Sequence, residues 1–97
     1  MIAVKRVILD ILKPHHPNAL EFCQALSAAV NGSTVRVTVI AVDEKTESLE
    51  VSVEAALIDF ELLQEVINKM GGALHSIDEV EVKNEPSPDA YEYSQKS

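Results

Sequence analysis

The chain has one cysteine, three glycines, no tryptophan and half as many basic as acidic side chains. Each shortage removes a class of function. Cys23, alone, cannot close an internal disulfide, and no CxxC pair is present. Gly32, Gly71 and Gly72 are too few and too scattered to build a glycine-rich phosphate loop. Eight Lys and Arg against sixteen Asp and Glu leave a net charge of -8, which repels phosphate backbones, so no nucleic-acid partner is expected. No apolar run approaches the roughly 18 residues that cross a bilayer, so no membrane span is expected. Lys5 and Arg6 interrupt the first apolar stretch, and no signal-peptide layout follows. The default location is cytoplasmic.

What remains is an ordinary aliphatic domain. With aromatics at 4%, the core must be filled by Val, Ile, Leu and Ala. Val and Ile favour pleated, half-buried strands. A length of 97 residues supports one core and not two.

Periodicity divides the chain into six elements. Residues 2–12 read as a strand, with Val7, Leu9 and Ile11 on one face and Arg6, Ile8 and Asp10 on the other. Residues 17–30 read as a helix that begins at Pro17, carries Ala19, Phe22, Cys23, Leu26 and Val30 on its apolar stripe, and stops at Asn31-Gly32. Cys23 on that stripe reads as a buried packing residue. Residues 34–43 and 48–55 alternate strictly and form a hairpin around Asp43, Glu44, Lys45, Thr46 and Glu47. Pairing Val42 with Ser48 puts Arg36 opposite Glu54. Residues 59–70 form a second helix with Asp59 as N-cap and Leu63, Val66, Ile67 and Met70 as its stripe. Residues 73–83 give the last strand. Ile77 asks for one phase and Val80 and Val82 for the other, so a bulge near Asp78 is expected.

The order strand, helix, strand, strand, helix, strand fits an α+β fold of the ferredoxin-like βαββαβ type, a two-layer sandwich with antiparallel sheet order 4-1-3-2. The folded domain spans 1–83. Residues 84–97, with Pro86 and Pro88, read as a flexible C-terminal tail whose Tyr91 and Tyr93 would anchor on a neighbouring subunit. Both helices cover one sheet face and leave the other open. That open face carries Ile8 and Ile40 among polar residues, and self-association into a homo-oligomer through Ile8, Ile40, Arg36 and Glu54 is the expected use for it.

Three segments carry a family resemblance: VILDILKPHHP (7–17), DEKTESLEVSVE (43–54) and MGGALHSIDEV (70–80). Together they resemble a group of small, mainly archaeal proteins, domain of unknown function 211, over residues 4–83. The resemblance implies a ferredoxin-like fold and assembly into oligomers, and it implies no activity.

The topology gathers Asp10, Lys13, His15, His16, Asp43, Glu44, Glu47 and His75 at one end of the sheet, and all three histidines of the chain are in that set. Two ligand readings follow. Lys13, His15 and His16, beside the start of the first helix, would hold a small-molecule effector, an anion drawn by free helix N–H groups. Alternatively Asp10, His15, His75, Asp43 and Glu47 would bind a divalent metal, zinc through nitrogen donors or calcium through carboxylates. Catalysis is not expected. Ser76, His75 and Asp78 are suitable residue types, but strand neighbours point to opposite faces, which separates His75 from Ser76.

Overall fold

The computed structural model describes residues 1–86. Its elements follow the periodicity: β1 Ile2–Pro14, α1 Ala19–Ala29, β2 Thr34–Val42, β3 Thr46–Glu54, α2 Phe60–Lys69 and β4 Ala73–Asn84. The four strands make one sheet in the order β2-β3-β1-β4, antiparallel at every joint. This is the ferredoxin-like arrangement, and β1 lies inside the sheet with Val7, Leu9 and Ile11 turned to the helix layer.

Val7, Leu9 and Ile11 of β1 and Leu49, Val51 and Val53 of β3 form the covered face. Phe22, Leu26 and Val30 from the first helical segment and Leu63 and Ile67 from the second close over them, with Ile58 filling the connection. Each such side chain contributes roughly 1.5–3 kcal/mol on leaving water. Cys23 is half-buried, and its Sγ lies 3.4 Å from the Val35 carbonyl.

The helix starts two residues later than the sequence suggests. Asn18 is the N-cap of α1: its side chain accepts from Glu21 N–H at 2.8 Å, and the Glu21 carboxylate accepts from Asn18 N–H. Pro17 therefore precedes the cap, joined to His16 by a cis peptide bond. A capping residue outcompetes a proline because it satisfies an orphan donor and proline can only omit one. Helix α2 starts at Asp59 as expected, its side chain accepting from Leu62 N–H. It stops through two linked bonds, Gly72 N–H to the Ile67 carbonyl and Gly71 N–H to the Asn68 carbonyl. Gly71 has φ +83°, the left-handed conformation this stop requires.

Register departs from expectation in one place and agrees in another. In the hairpin Val42 faces Glu47, not Ser48, and a shift between Val39 and Ala41 leaves Ile40 unpaired. Arg36 consequently faces Ser52, and Thr34 takes the place opposite Glu54, so the expected Arg36–Glu54 pair is replaced. On β4 the pairing jumps from Glu79 to Ile77, which places a bulge at Asp78 and resolves the phase conflict. A second jump, from Ser76 to Leu74, frees His75, and a third omits Lys5 on β1. Strand β4 also continues past Lys83. Asn84 pairs with Ile2, and Glu85 N–H donates to the Met1 carbonyl. Tyr91 and Tyr93 lie outside the described residues.

Candidate functional site

The alternation of β1 does not end at Ile11. Lys13 is the next inward residue, and its side chain is completely buried. Burying an ammonium is costly unless its protons are used. Here Nζ donates to Glu47 Oε1 at 2.8 Å, to the Pro14 carbonyl at 2.9 Å and to the Pro17 carbonyl at 2.5 Å. An ammonium has three donors, so Lys13 is saturated. The bond from Lys13, and then its charge, hold the Glu47 carboxyl below the usual glutamate range, with His15 adding a smaller push.

His15 extends this knot to the hairpin. Its Nε2 lies 3.0 Å from the Asp43 carbonyl and 3.2 Å from that of Glu44, so it must donate there. Its Nδ1 is 3.7 Å from Glu47 Oε2. Asp43 closes the turn itself. Its carboxylate accepts from Thr46 N–H and Lys45 N–H, and these bonds lower its pKa, the Thr46 bond most. Glu21 places its own negative charge at the start of α1. Of the three residues expected to hold an effector, Lys13 is therefore spent internally, His15 ties β1 to the hairpin, and His16 is exposed. Lys13 has no donor left for an anion, and Nε2 of His15 is already turned to the hairpin carbonyls.

The open face presents a different chemistry. Reading across the sheet, its rows are Thr34, Glu54, Arg6, Glu81; then Arg36, Ser52, Ile8, Glu79; then Thr38, Glu50, Asp10, Ser76; then Ala41, Ser48, Leu12, Ala73. Arg6 is paired with Glu79 at 2.8 Å. Toward the Ala73 end two shallow hollows adjoin, sharing Asp10 and Ser48. One, of 440 Å³, adds Leu12 and His75. The other, of 390 Å³, adds Ile40, Glu50 and Asp78. The three bulged residues Ile40, His75 and Asp78 all face this concavity, because a bulge releases a side chain from strict alternation.

The bulges also correct the expected separation of His75 from Ser76. Both reach the open side, but each has its own acid: His75 Nδ1 is 3.7 Å from Asp10 Oδ2, and Ser76 Oγ is 2.7 Å from Asp78 Oδ1. Among the described residues no hydrogen bond joins His75 to Ser76. The set Asp10, His15, His75, Asp43 and Glu47 is likewise divided. Asp10 and His75 sit on the open face, whereas His15, Asp43 and Glu47 belong to the hairpin knot, where Glu47 is engaged by Lys13. Among the described residues no three His, Cys, Asp or Glu side chains gather as a metal site. Asp10 and Lys13 are three residues apart on one strand, and that odd spacing alone sends them to opposite faces. Leu12 and Ser48 also line the hollow, as does Glu50, directly across from Asp10.

No helix among the described residues is long and apolar enough to cross a membrane. An uncharacterized protein of Methanocaldococcus jannaschii, MJ0319, is 41% identical over 80 residues, spanning 82% of each chain. The sequence profile of DUF211, described as "Uncharacterized ArCR", matches residues 5–85, from within β1 to just past the end of β4. The chain belongs to the DUF211 family.

Proposed function

We propose that this chain is a non-catalytic, self-associating binding module of the cytoplasm, which joins copies of itself at its sheet edges and displays its open face to a ligand. The observation that supports this reading most is where the exposed apolar side chains lie. Val39, Ile40 and Val42 on β2 are 41%, 62% and 63% exposed, and Ile77, Val80 and Val82 on β4 are 50%, 57% and 54% exposed. These are the two outer strands of the sheet. An edge rich in exposed Val and Ile is an association hazard for a monomer unless something covers it. Of the residues expected at the interface, Ile40 lies on such an edge. Arg36 is on the same strand, and Ile8 and Glu54 are on inner strands facing the open side.

The open face is the surface we assign to a ligand, because Lys13 spends its three donors on Glu47, Pro14 and Pro17. Its floor mixes Ile40 and Leu12 with Asp10, Glu50 and Asp78. Light scattering on the full chain tests the association. The expected mass is several times the 10.6 kDa of one chain. A single-chain mass at micromolar concentration would overturn the reading. Thermal melting against a panel of small molecules and divalent cations tests the binding role. A ligand held by the native state raises the melting temperature by an amount that grows with its concentration.

A further inference from the structure

We infer that the two edges join each other, β2 of one copy to β4 of the next, and that neither edge pairs with its own kind. This rests on the self-association proposed above and specifies its geometry.

Strand direction permits the joint. Strand β2 runs parallel to β1, and β4 runs antiparallel to β1, since each pairing in the sheet is antiparallel. A second copy placed beside the first in the same orientation sets its β4 antiparallel to β2. The sheet then continues with its alternation intact, helices on one side and open face on the other.

Side chains agree on both faces. With Val37 opposite Val80 of the next copy, antiparallel pairing puts Val35 opposite Val82 and brings Val39 beside Ile77. These are the helix-side residues of the two strands, by their alignment with Val53, Val51 and Leu49 in one case and with Leu9, Val7 and Val4 in the other. On the open side the same register places Arg36 opposite Glu81, next to Glu79. Arg36 is the only charged residue of β2, and Asp78, Glu79 and Glu81 give the corresponding stretch of β4 its acidity. Joining β2 to β2 would set Arg36 near its own copy. Joining β4 to β4 would oppose acids to acids, and like charges across strands are unfavourable. Charge therefore selects the mixed joint. Such a contact is heterologous: each copy offers one edge of each kind.

A mixing experiment separates this from other assemblies. Val39→Lys blocks the β2 edge, and Val80→Lys blocks the β4 edge; both positions are exposed, so circular dichroism should show unchanged folding. In light scattering each variant alone should fall to the mass of a single chain. An equimolar mixture should recover a two-chain species, because each partner keeps the edge the other lacks. If either variant alone keeps the wild-type mass, or if the mixture stays monomeric, the β2-to-β4 joint is wrong. A charge exchange gives a second readout. Arg36→Glu alone should weaken association, and adding Glu81→Arg to the same chain should restore it; failure of the exchange to restore it counts against the pairing. A wild-type chain that is itself monomeric removes both this inference and the self-association beneath it.

Discussion

The two ends of β1 each carry a lysine paired with a glutamate, yet they are built differently. Lys13 continues the inward alternation and has no exposed side-chain surface, while Lys5 sits where β1 is bulged and its side chain keeps 21% of its exposure. Lys13 meets three oxygens. Lys5 meets two, the Ala56 carbonyl at 2.5 Å and the Glu85 carboxylate. Around Lys13 the loops are knotted by His15 and Asp43. Around Lys5 the surface opens into a hollow of 540 Å³ shared with Lys83, Glu54 and Glu81. The same residue type is a structural bolt at one end and a surface clasp at the other, and the bulge that lifts Lys5 out of the alternation Lys13 obeys decides which.

The strongest way to break this comparison is to remove each ammonium in turn. Lys13→Met should cost about 3 kcal/mol in chemical denaturation. That is the lower part of the range for breaking a buried pair, because Glu47 retains some contact with water. It strands the Pro14 and Pro17 carbonyls as well as the carboxylate. Lys5→Met should cost roughly 0–1 kcal/mol, the usual value of a partly exposed pair. Equal costs would show that burial does not distinguish the two ends. Adding Glu47→Leu to Lys13→Met should recover part of the loss, since the unpaired charge is then gone.

Much of this architecture can be read directly in the sequence, and the part that cannot has a physical reason. The six elements follow from clean periods, and the Asp78 bulge follows from the conflict between Ile77 and Val80. The bulge at Ile40 leaves no such trace. Residues 37–42, Val-Thr-Val-Ile-Ala-Val, offer an apolar or β-branched side chain in either phase, so the hairpin register slips by one or two residues unnoticed. The residues gathered at the end of the sheet divide for a related reason. Grouping residues by the end of the sheet puts Asp10, Lys13, His15 and His75 together, but the pleat sorts them by face. Lys13 could have been recognised: it lies two residues beyond Ile11 and opposite Glu47, where a core stripe finishes on a matched charge.

A smaller effect sharpens the contrast from the backbone side of the Lys13 end. Gly72 packs where β4 leaves α2, and a Cβ there would stand 3.0 Å from Ile67 Cγ2, 3.1 Å from the Ile67 carbonyl oxygen and 3.2 Å from Ile11 Cγ2. Two of these atoms are side-chain methyls of the fully buried Ile67 and Ile11, and the third is backbone. Gly72→Ala should therefore cost about 1–2 kcal/mol by overpacking. Retained wild-type stability in a denaturant titration would mean that the knotted end has slack.

The subtlest distinction lies in acid. Both glutamates titrate below their ordinary value near 4.5, each chiefly because of the hydrogen bond from its lysine. A depressed carboxyl pKa means that the unfolded chain binds more protons than the folded one just below that value. The stabilisation is therefore complete above the ordinary glutamate range and is lost as pH falls through the depressed one. Glu47→Gln and Glu85→Gln keep an acceptor for each lysine while removing the titration. Each should flatten the acid limb of melting temperature against pH. Glu47→Gln should flatten it more, because Glu47 faces a buried ammonium and His15, whereas Glu85 shares its solvated setting with Lys5, Lys83 and the amino terminus. The opposite order would place the tighter charge coupling at the open end, and the bolt and the clasp would have to exchange roles.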